Sequence, residues 1–249
     1  MNIPTTTTTE DLDIINNHVL PCLYGTKPFF PRRGPGILMG YTEVAYFEAV
    51  LSHLRPQCAI EVGTETGSTL AIIAKYSQRV VSIDIDPRVR TGLSNQFPNV
   101  IFVTGSSHDI LPATLEKITE QGLFVDFVFI DADHSADGVR RDIEALLAYR
   151  PKTKLIVMMH DSFNPDCRKG ILAADWASCP YCHFVEIDFA PGALHPDAPI
   201  RRQMWGGLGF ALFQPEPRTH ELRVMASNQL LYEAALMQSV YLPEKLLNR

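Results

Sequence analysis

No apolar run in this sequence approaches the roughly 18 residues that a membrane-spanning helix needs. The first residues, Met1-Asn2-Ile3-Pro4 and then five threonines, lack the basic start and apolar stretch of a secretory signal. Basic charge is scarce as well: 22 lysines and arginines stand against 28 acidic residues, a net charge of −6. That sign does not suit neutralising phosphate backbones or anionic lipid, so neither nucleic acid nor a membrane is an expected partner. Cysteines number five, an odd count that, without an export signal, reads as free thiols in a reducing compartment, with the cytoplasm the expected location. With 46% apolar and 20% charged residues, the chain is neither disordered nor fibrous but globular. Its 249 residues suffice for one large domain or two small ones.

Thr5 to Thr9 form a low-complexity tract that reads as a frayed end. Leu12, Ile15 and Val19 recur at helical spacing, and Tyr24 to Gly40, rich in proline and glycine, reads as an irregular loop that covers the site. Tyr41 to Leu54 is expected to be a helix, with Val44, Phe47, Leu51 and Leu54 on one face and Pro56 beyond its end. From residue 57 short apolar strands alternate with amphipathic helices. The strands are expected at 58–62, 79–84, 100–104, 124–130, 154–159 and 184–189, and the helices at 68–76, 87–95, 108–120 and 136–148. Such alternation, with strands apolar on both faces, predicts an α/β fold, a Rossmann-like doubly wound sheet with helices on both sides. A last apolar stretch, 206–213, follows without a crossover helix and is therefore expected to pair antiparallel. One helical pattern, 228–240, lies in the tail and suits an oligomer contact or an edge cover. The expected organisation is a leading segment over 1–56, one domain over 57–213 and a tail over 214–249.

The chemistry-bearing segments sit at strand ends. Glu61-Val62-Gly63-Thr64-Glu65-Thr66-Gly67-Ser68-Thr69 turns a buried strand through two glycines into a helix, where the backbone can approach a ligand and helix-start amides favour an anionic group. The spacing glycine-x-x-x-glycine lacks the middle glycine of the dinucleotide pattern, which disfavours a nicotinamide cofactor. Asp84 ends the second strand about 20 residues on, where an acidic side chain takes ribose hydroxyls. Asp131, Asp133 and His134 follow the fourth strand, and His160 and Asp161 follow the fifth. In a doubly wound sheet these strands are neighbours, so the carboxylates and imidazoles converge at the ligand crevice. Asp131, His160 and Asp161 also form a set that could hold a divalent metal. Clustered carboxylates suit magnesium or manganese, and the histidine shifts the preference towards transition metals.

Five motifs in order and register, Glu61 to Gly67, Ser82-Ile83-Asp84-Ile85-Asp86-Pro87, Gly105-Ser106-Ser107, Asp131-Ala132-Asp133-His134 and His160-Asp161, resemble those of class I S-adenosylmethionine-dependent methyltransferases. Among these the sequence is similar to the small-molecule O-methyltransferases of the catechol and caffeoyl-coenzyme A type, and to a bacterial subgroup with aspartate-x-aspartate-histidine and histidine-aspartate motifs. The resemblance spans roughly 61–213 and implies a seven-stranded sheet of order 3-2-1-4-5-7-6 with its last strand antiparallel. It implies S-adenosylmethionine as cofactor. Glu61, Gly63, Thr64, Glu65 and Gly67 would surround its methionine part, Thr69 would lie near its carboxylate, Asp84 and Ile85 would bind ribose, and Ser106 and Ser107 adenine. Asp131, His160 and Asp161 match the metal positions, although the catechol-type enzymes carry aspartate and asparagine at the last two. Asp131 would thus serve catalysis and cofactor together. His134 stands where those enzymes place a catalytic lysine. A histidine titrating near about 6.5 is mostly neutral at cytoplasmic pH and can accept a hydroxyl proton, which makes His134 the candidate base.

The expected activity is methyl transfer to a hydroxyl of a small molecule, in a chain free to form a homo-oligomer. Two alternatives stand beside it: a non-methylating relative whose metal site assists an oxygenase or carbohydrate-tailoring step, and a nicotinamide-dependent oxidoreductase. Cys179-Pro180-Tyr181-Cys182 spells a redox dithiol, with His183 a haem-attachment pattern and with Cys167 part of a zinc set, but a redox dithiol should open a helix after an early strand, haem attachment needs export, and unpaired cysteines are the plainer reading. His195, Arg201, Arg202 and Trp205 fall in the stretch 191–205, expected to be a loop at the crevice and a candidate lid over the acceptor. The arginines there would suit a carboxylate or phosphate.

Overall fold

The computed structural model describes residues 39–195 and 198–241. The expected cover by the leading residues up to 38 lies outside them. Helix α1 (Tyr41–Leu54) opens the described chain. Then come β1 (Cys58–Val62), α2 (Ser68–Tyr76), β2 (Arg79–Asp84), α3 (Pro87–Leu93), β3 (Val100–Thr104), α4 (Ser107–Glu120), β4 (Val125–Ile130), α5 (Ala136–Leu147) and β5 (Leu155–His160). Helix α6 (Pro165–Ala173), the long hairpin β6 (Cys182–Leu194) and β7 (Met204–Phe213), the short strand β8 (Arg223–Met225) and α7 (Gln229–Gln238) complete it.

The strands form a single sheet in the order β3-β2-β1-β4-β5-β7-β6-β8. Strands β1 to β5 run parallel, and β7 lies antiparallel between β5 and β6. The sheet adds one strand to the seven expected, since β8 pairs parallel with the outer edge of β6. All five residues of β1 are buried, as a strand covered on both faces requires. Alternate residues of β4 divide between the two faces: Phe127 and Phe129 pack with Phe47 and Leu51 of α1 and with Leu70 and Ile73 of α2. Val128 and Ile130 face Leu115 of α4, Ile143 of α5 and Ile171 of α6. The Phe47 ring stands edge-on to Phe129 at 4.7 Å and to Phe127 at 5.8 Å, which fixes α1 across the middle of the sheet.

The sequence reading assigned no element between the fifth and sixth strands, where helix α6 lies; Asn164 caps it through the amides of Asp166 and Cys167, and Pro165 occupies its first turn. One expectation needs correcting. The loop expected over 191–205 is shorter, because β6 continues to Leu194 and β7 starts at Met204. Among the described residues no helix is long and apolar enough to cross a membrane.

Candidate active site

The turn after β1 is built on Gly63. Its φ is +86°, and a Cβ there would lie 2.1 Å from the Asp131 carbonyl oxygen. Only glycine lets the two strand ends touch. The turn is anchored from both sides. Thr64 Oγ1 and Thr69 Oγ1 donate to the two oxygens of Glu61 at 2.8 and 2.7 Å. Glu61 is fully buried, and burial pushes its carboxyl up to about 8. Its oxygens serve the turn from beneath, and it lines neither cavity described below. Asp84 Oδ2 accepts from the amides of Thr64 and Glu65 at 2.9 and 3.0 Å, and Asp84 Oδ1 accepts from that of Asp86 at 2.8 Å. The end of β2 therefore holds the glycine turn in place and still borders open space.

That space is a cleft of two adjoining cavities, about 590 and about 420 Å³, which share Gly63, Asp84, Ala132 and His134. The smaller runs over Ile85, 75% exposed at the rim, to Ser106 and Ser107. Its wall includes Asp142, a residue of α5 that the sequence reading passed over. One Asp142 oxygen accepts from the Ser107 hydroxyl, the other is buried without a hydrogen-bond partner among the described residues, and burial raises the carboxyl above its ordinary range. The larger cavity contains Thr64, Glu65 and Thr69 at one end and Asp131, His134, His160 and Asp161 at the other. Gly67 lines neither; with φ +79° it caps the start of α2.

At the far end of the larger cavity four side chains meet. His160 Nδ1 lies 3.2 Å from Asp131 Oδ1 and 3.4 Å from Asp161 Oδ2. His134 Nε2 lies 3.0 Å from the same Asp161 oxygen and 3.7 Å from Asp131 Oδ1. Both imidazoles are thereby held as cations. Hydrogen bonding to Asp131 and Asp161 raises His134 to about 10. For His160, burial opposes the charge, yet Asp131 and Asp161 outweigh it and lift the ring well above its ordinary value. Asp161 goes the other way. Burial works against its charge, but His160, His134 and the Gly206 amide hold the carboxyl far below the usual carboxylate range.

The sequence reading missed Glu43 altogether. It lies on α1 and is buried, with Oε1 3.0 Å from His160 Nε2 and accepting from Gly207 N at 2.7 Å. Its position near a helix start, where it accepts the Gly40 amide, reads as an ordinary favourable charge, and its partners in the cleft, His160 and Gly207, are over 100 residues away, so no local signal marks its role there. The hairpin also places Trp205, whose ring meets His134 edge-on at 5.6 Å, and His195 in the cavity wall. Arg201 and Arg202 line neither cavity; Arg202 donates to the carbonyls of Gln238 and Ser239 beyond α7.

Asp131, His160 and Asp161 offer donor atoms within 4.8 Å of one another, and no cysteine belongs to such a group among the described residues. Cys167, Cys179 and Cys182 are buried, and burial pushes the Cys182 thiol up to about 12. That is opposite to an activated redox dithiol.

Residues 60–162 match the family model described as a methyltransferase domain. No curated protein gives a significant match. Among solved structures, the cofactor-bound Rv0187 from MTB aligns with TM-score 0.55 at 17% identity, over 85% of this chain and all of that one. An O-methyltransferase from Bacillus cereus in complex with SAH gives 0.52 at 17%, over 86% and 94% of the two chains. The O-methyltransferase TomG from Streptomyces achromogenes, involved in tomaymycin synthesis and solved with SAM, gives 0.52 at 15%, over 72% and 83%. At such identities the likeness is one of fold, and it agrees with the strand order found here. The nicotinamide reading gains nothing from these matches. Fold, motif register and family model agree on a methyltransferase domain over residues 60–162, set in a Rossmann-like sheet.

Proposed function

We propose that this protein transfers the methyl group of S-adenosylmethionine to a hydroxyl of a small molecule, with His134 as the proton acceptor and a divalent metal on Asp131, His160 and Asp161. The observation that carries this reading is the single cleft joining the Asp84 end to the Asp131–His134–His160–Asp161 end through Gly63 and Ala132. The O-methyltransferases of the same fold solved with SAH and SAM support it.

The cleft residues divide the work. Asp84, already fixed by three amides, presents its carboxylate to ribose hydroxyls. Ile85 offers an apolar edge, and Ser106, Ser107 and the unpartnered oxygen of Asp142 form a polar wall for adenine. The Gly63 turn, Thr64 and Thr69 take the methionine end. The cofactor supplies an electrophilic methyl on sulfur. The chain's contribution to displacement is chiefly to hold an acceptor oxygen in line at contact distance, and Trp205 and His134 wall off the place where that oxygen would lie.

The donor set suits a metal. Two carboxylates and an imidazole meet at 3.2 to 3.4 Å, and the imidazole favours manganese or another transition ion over magnesium. Asp131, His160 and Asp161 would hold the ion, which would supply Lewis acidity that lowers the pKa of an acceptor hydroxyl. The two aspartates would then pair less strongly with the histidines that now share their charge. His134 must be neutral at Nε2 to accept a hydroxyl proton, and the same two carboxylates that keep it protonated are the metal ligands. Drawing their charge onto a cation frees His134 for that role.

The test is transfer of labelled methyl from S-adenosylmethionine to a panel of sugar, phenol and macrolide hydroxyls and of amines, with manganese and with a chelator. Labelled ether product that disappears on chelation supports the proposal. Label on nitrogen acceptors only, or product indifferent to chelator, overturns the hydroxyl or the metal part respectively.

A further inference from the structure

His160 has two ring nitrogens, and its surroundings treat them differently. On the Nδ1 side lie Asp131 Oδ1 at 3.2 Å and Asp161 Oδ2 at 3.4 Å. On the Nε2 side, among the described residues, lies Glu43 Oε1, at 3.0 Å, and Phe129 flanks the ring, centroid to centroid 6.2 Å. Glu43 Oε1 already accepts the Gly207 amide, and Glu43 Oε2 accepts the Gly40 amide at 2.5 Å. A carboxylate oxygen committed as an acceptor in this way requires the facing imidazole nitrogen to carry the hydrogen.

The arrangement is rigid on the Glu43 side. Gly206 and Gly207, at the start of the β6–β7 pairing, have φ of +74° and +86°, and a Cβ on Gly206 would fall 2.8 Å from Glu43 Oε2. Their consecutive amides hold the two carboxylates that flank His160: Gly206 N donates to Asp161 Oδ1 at 2.6 Å, and Gly207 N to Glu43 Oε1. Two consecutive residues of β7 thus set both sides of the ring.

We infer that Glu43, carried on a helix outside the matched methyltransferase domain, is a positioning residue that fixes His160 with its hydrogen on Nε2 and so reserves Nδ1 as the nitrogen donor to the metal. This inference rests on the metal reading proposed above. A carboxylate behind a ligating histidine sets its tautomer and ring angle and strengthens it as a ligand, and loss of such a partner typically costs about 10–100-fold in metal affinity.

The experiment uses the whole chain labelled with ¹⁵N-histidine and loaded with zinc, a diamagnetic probe, observed by two-bond ¹H–¹⁵N correlation. His160 is assigned by its absence in H160Q. The expected spectrum has a hydrogen on Nε2 and a metal-shifted Nδ1. Alongside it, manganese binding is titrated by electron paramagnetic resonance. Glu43→Ala should weaken it by about 10–100-fold, and Glu43→Gln, which retains an oxygen acceptor, should restore most of the loss, with SAH affinity unaltered in both. Zinc on Nε2, or wild-type manganese affinity in Glu43→Ala, overturns the inference alone. Wild-type protein that takes up neither ion overturns the metal reading and this inference with it. The wild-type spectrum decides the question even where Glu43→Ala fails to fold.

Discussion

His134 Nε2 lies 3.0 Å from Asp161 Oδ2, an ion pair that ties the proposed proton acceptor to a carboxylate of the proposed metal set. In the metal-free protein this pair makes a pH-dependent contribution to stability. His134 is raised to about 10 from an ordinary 6.5, so its contribution is whole below about 6.5 and is lost as pH climbs through about 10. Calorimetric melting in chelator at pH 6.5, 8 and 9.5 should show Tm falling, and less steeply in His134→Ala. Equal slopes for the two proteins contradict the pairing.

The same pair predicts how turnover depends on pH. With manganese bound, turnover should rise with pH at a midpoint well below the value of about 10 at which His134 loses its proton in the metal-free protein. His134→Ala should lose about 10²–10⁴-fold in turnover while keeping its affinity for SAH. Turnover unchanged in His134→Ala removes the base role.

Gly63 joins the cofactor turn to the Asp131 strand end, with a hypothetical Cβ 2.1 Å from the Asp131 carbonyl oxygen. Gly63→Ala forces that contact apart and sets a side chain at positive φ, a strain of about 1–3 kcal/mol before any clash is added. Tm should fall by several degrees, since about 1 kcal/mol corresponds to roughly 2–4 °C at this chain length. SAH binding should weaken with it. An unshifted Tm would mean that the two strand ends are not in contact.

Phe47 is fully buried and packs on Phe127 and Phe129, and its helix delivers Glu43 to the cleft. Phe47→Ala should cost about 3–5 kcal/mol, read by urea denaturation. It should weaken manganese binding as well, because α1 loses its seat. A loss under about 1 kcal/mol, the scale of an exposed site, contradicts the docking of α1.

The features legible in the sequence share a physical cause, which is local. Strand β1 is buried along its whole length, so its apolar run marks it, and Gly63, Asp84, Asp131 and His160 announce themselves by standing where such runs end. Helix α6 escaped because its buried face includes Arg168 and Gly170, which do not read as apolar. Arg168 is buried because it pairs with Asp188. The Asn164-Pro165 cap was the signal that would have found it. Strand β8, three exposed residues long, has no pattern to detect. Glu43 acts through residues brought to it only by the fold, and Arg202 looked like a lid residue until the fold turned it towards the end of α7.

The central claim is that one cleft, anchored by Asp84 and Gly63, receives S-adenosylmethionine, and titration calorimetry of the wild-type chain with SAH tests it most directly. The account predicts one SAH bound per chain, no heat from NAD, and weakened binding of SAH to Asp84→Asn, because that carboxylate holds the turn and is the proposed ribose contact. Binding of NAD in place of SAH, or of neither, would contradict it.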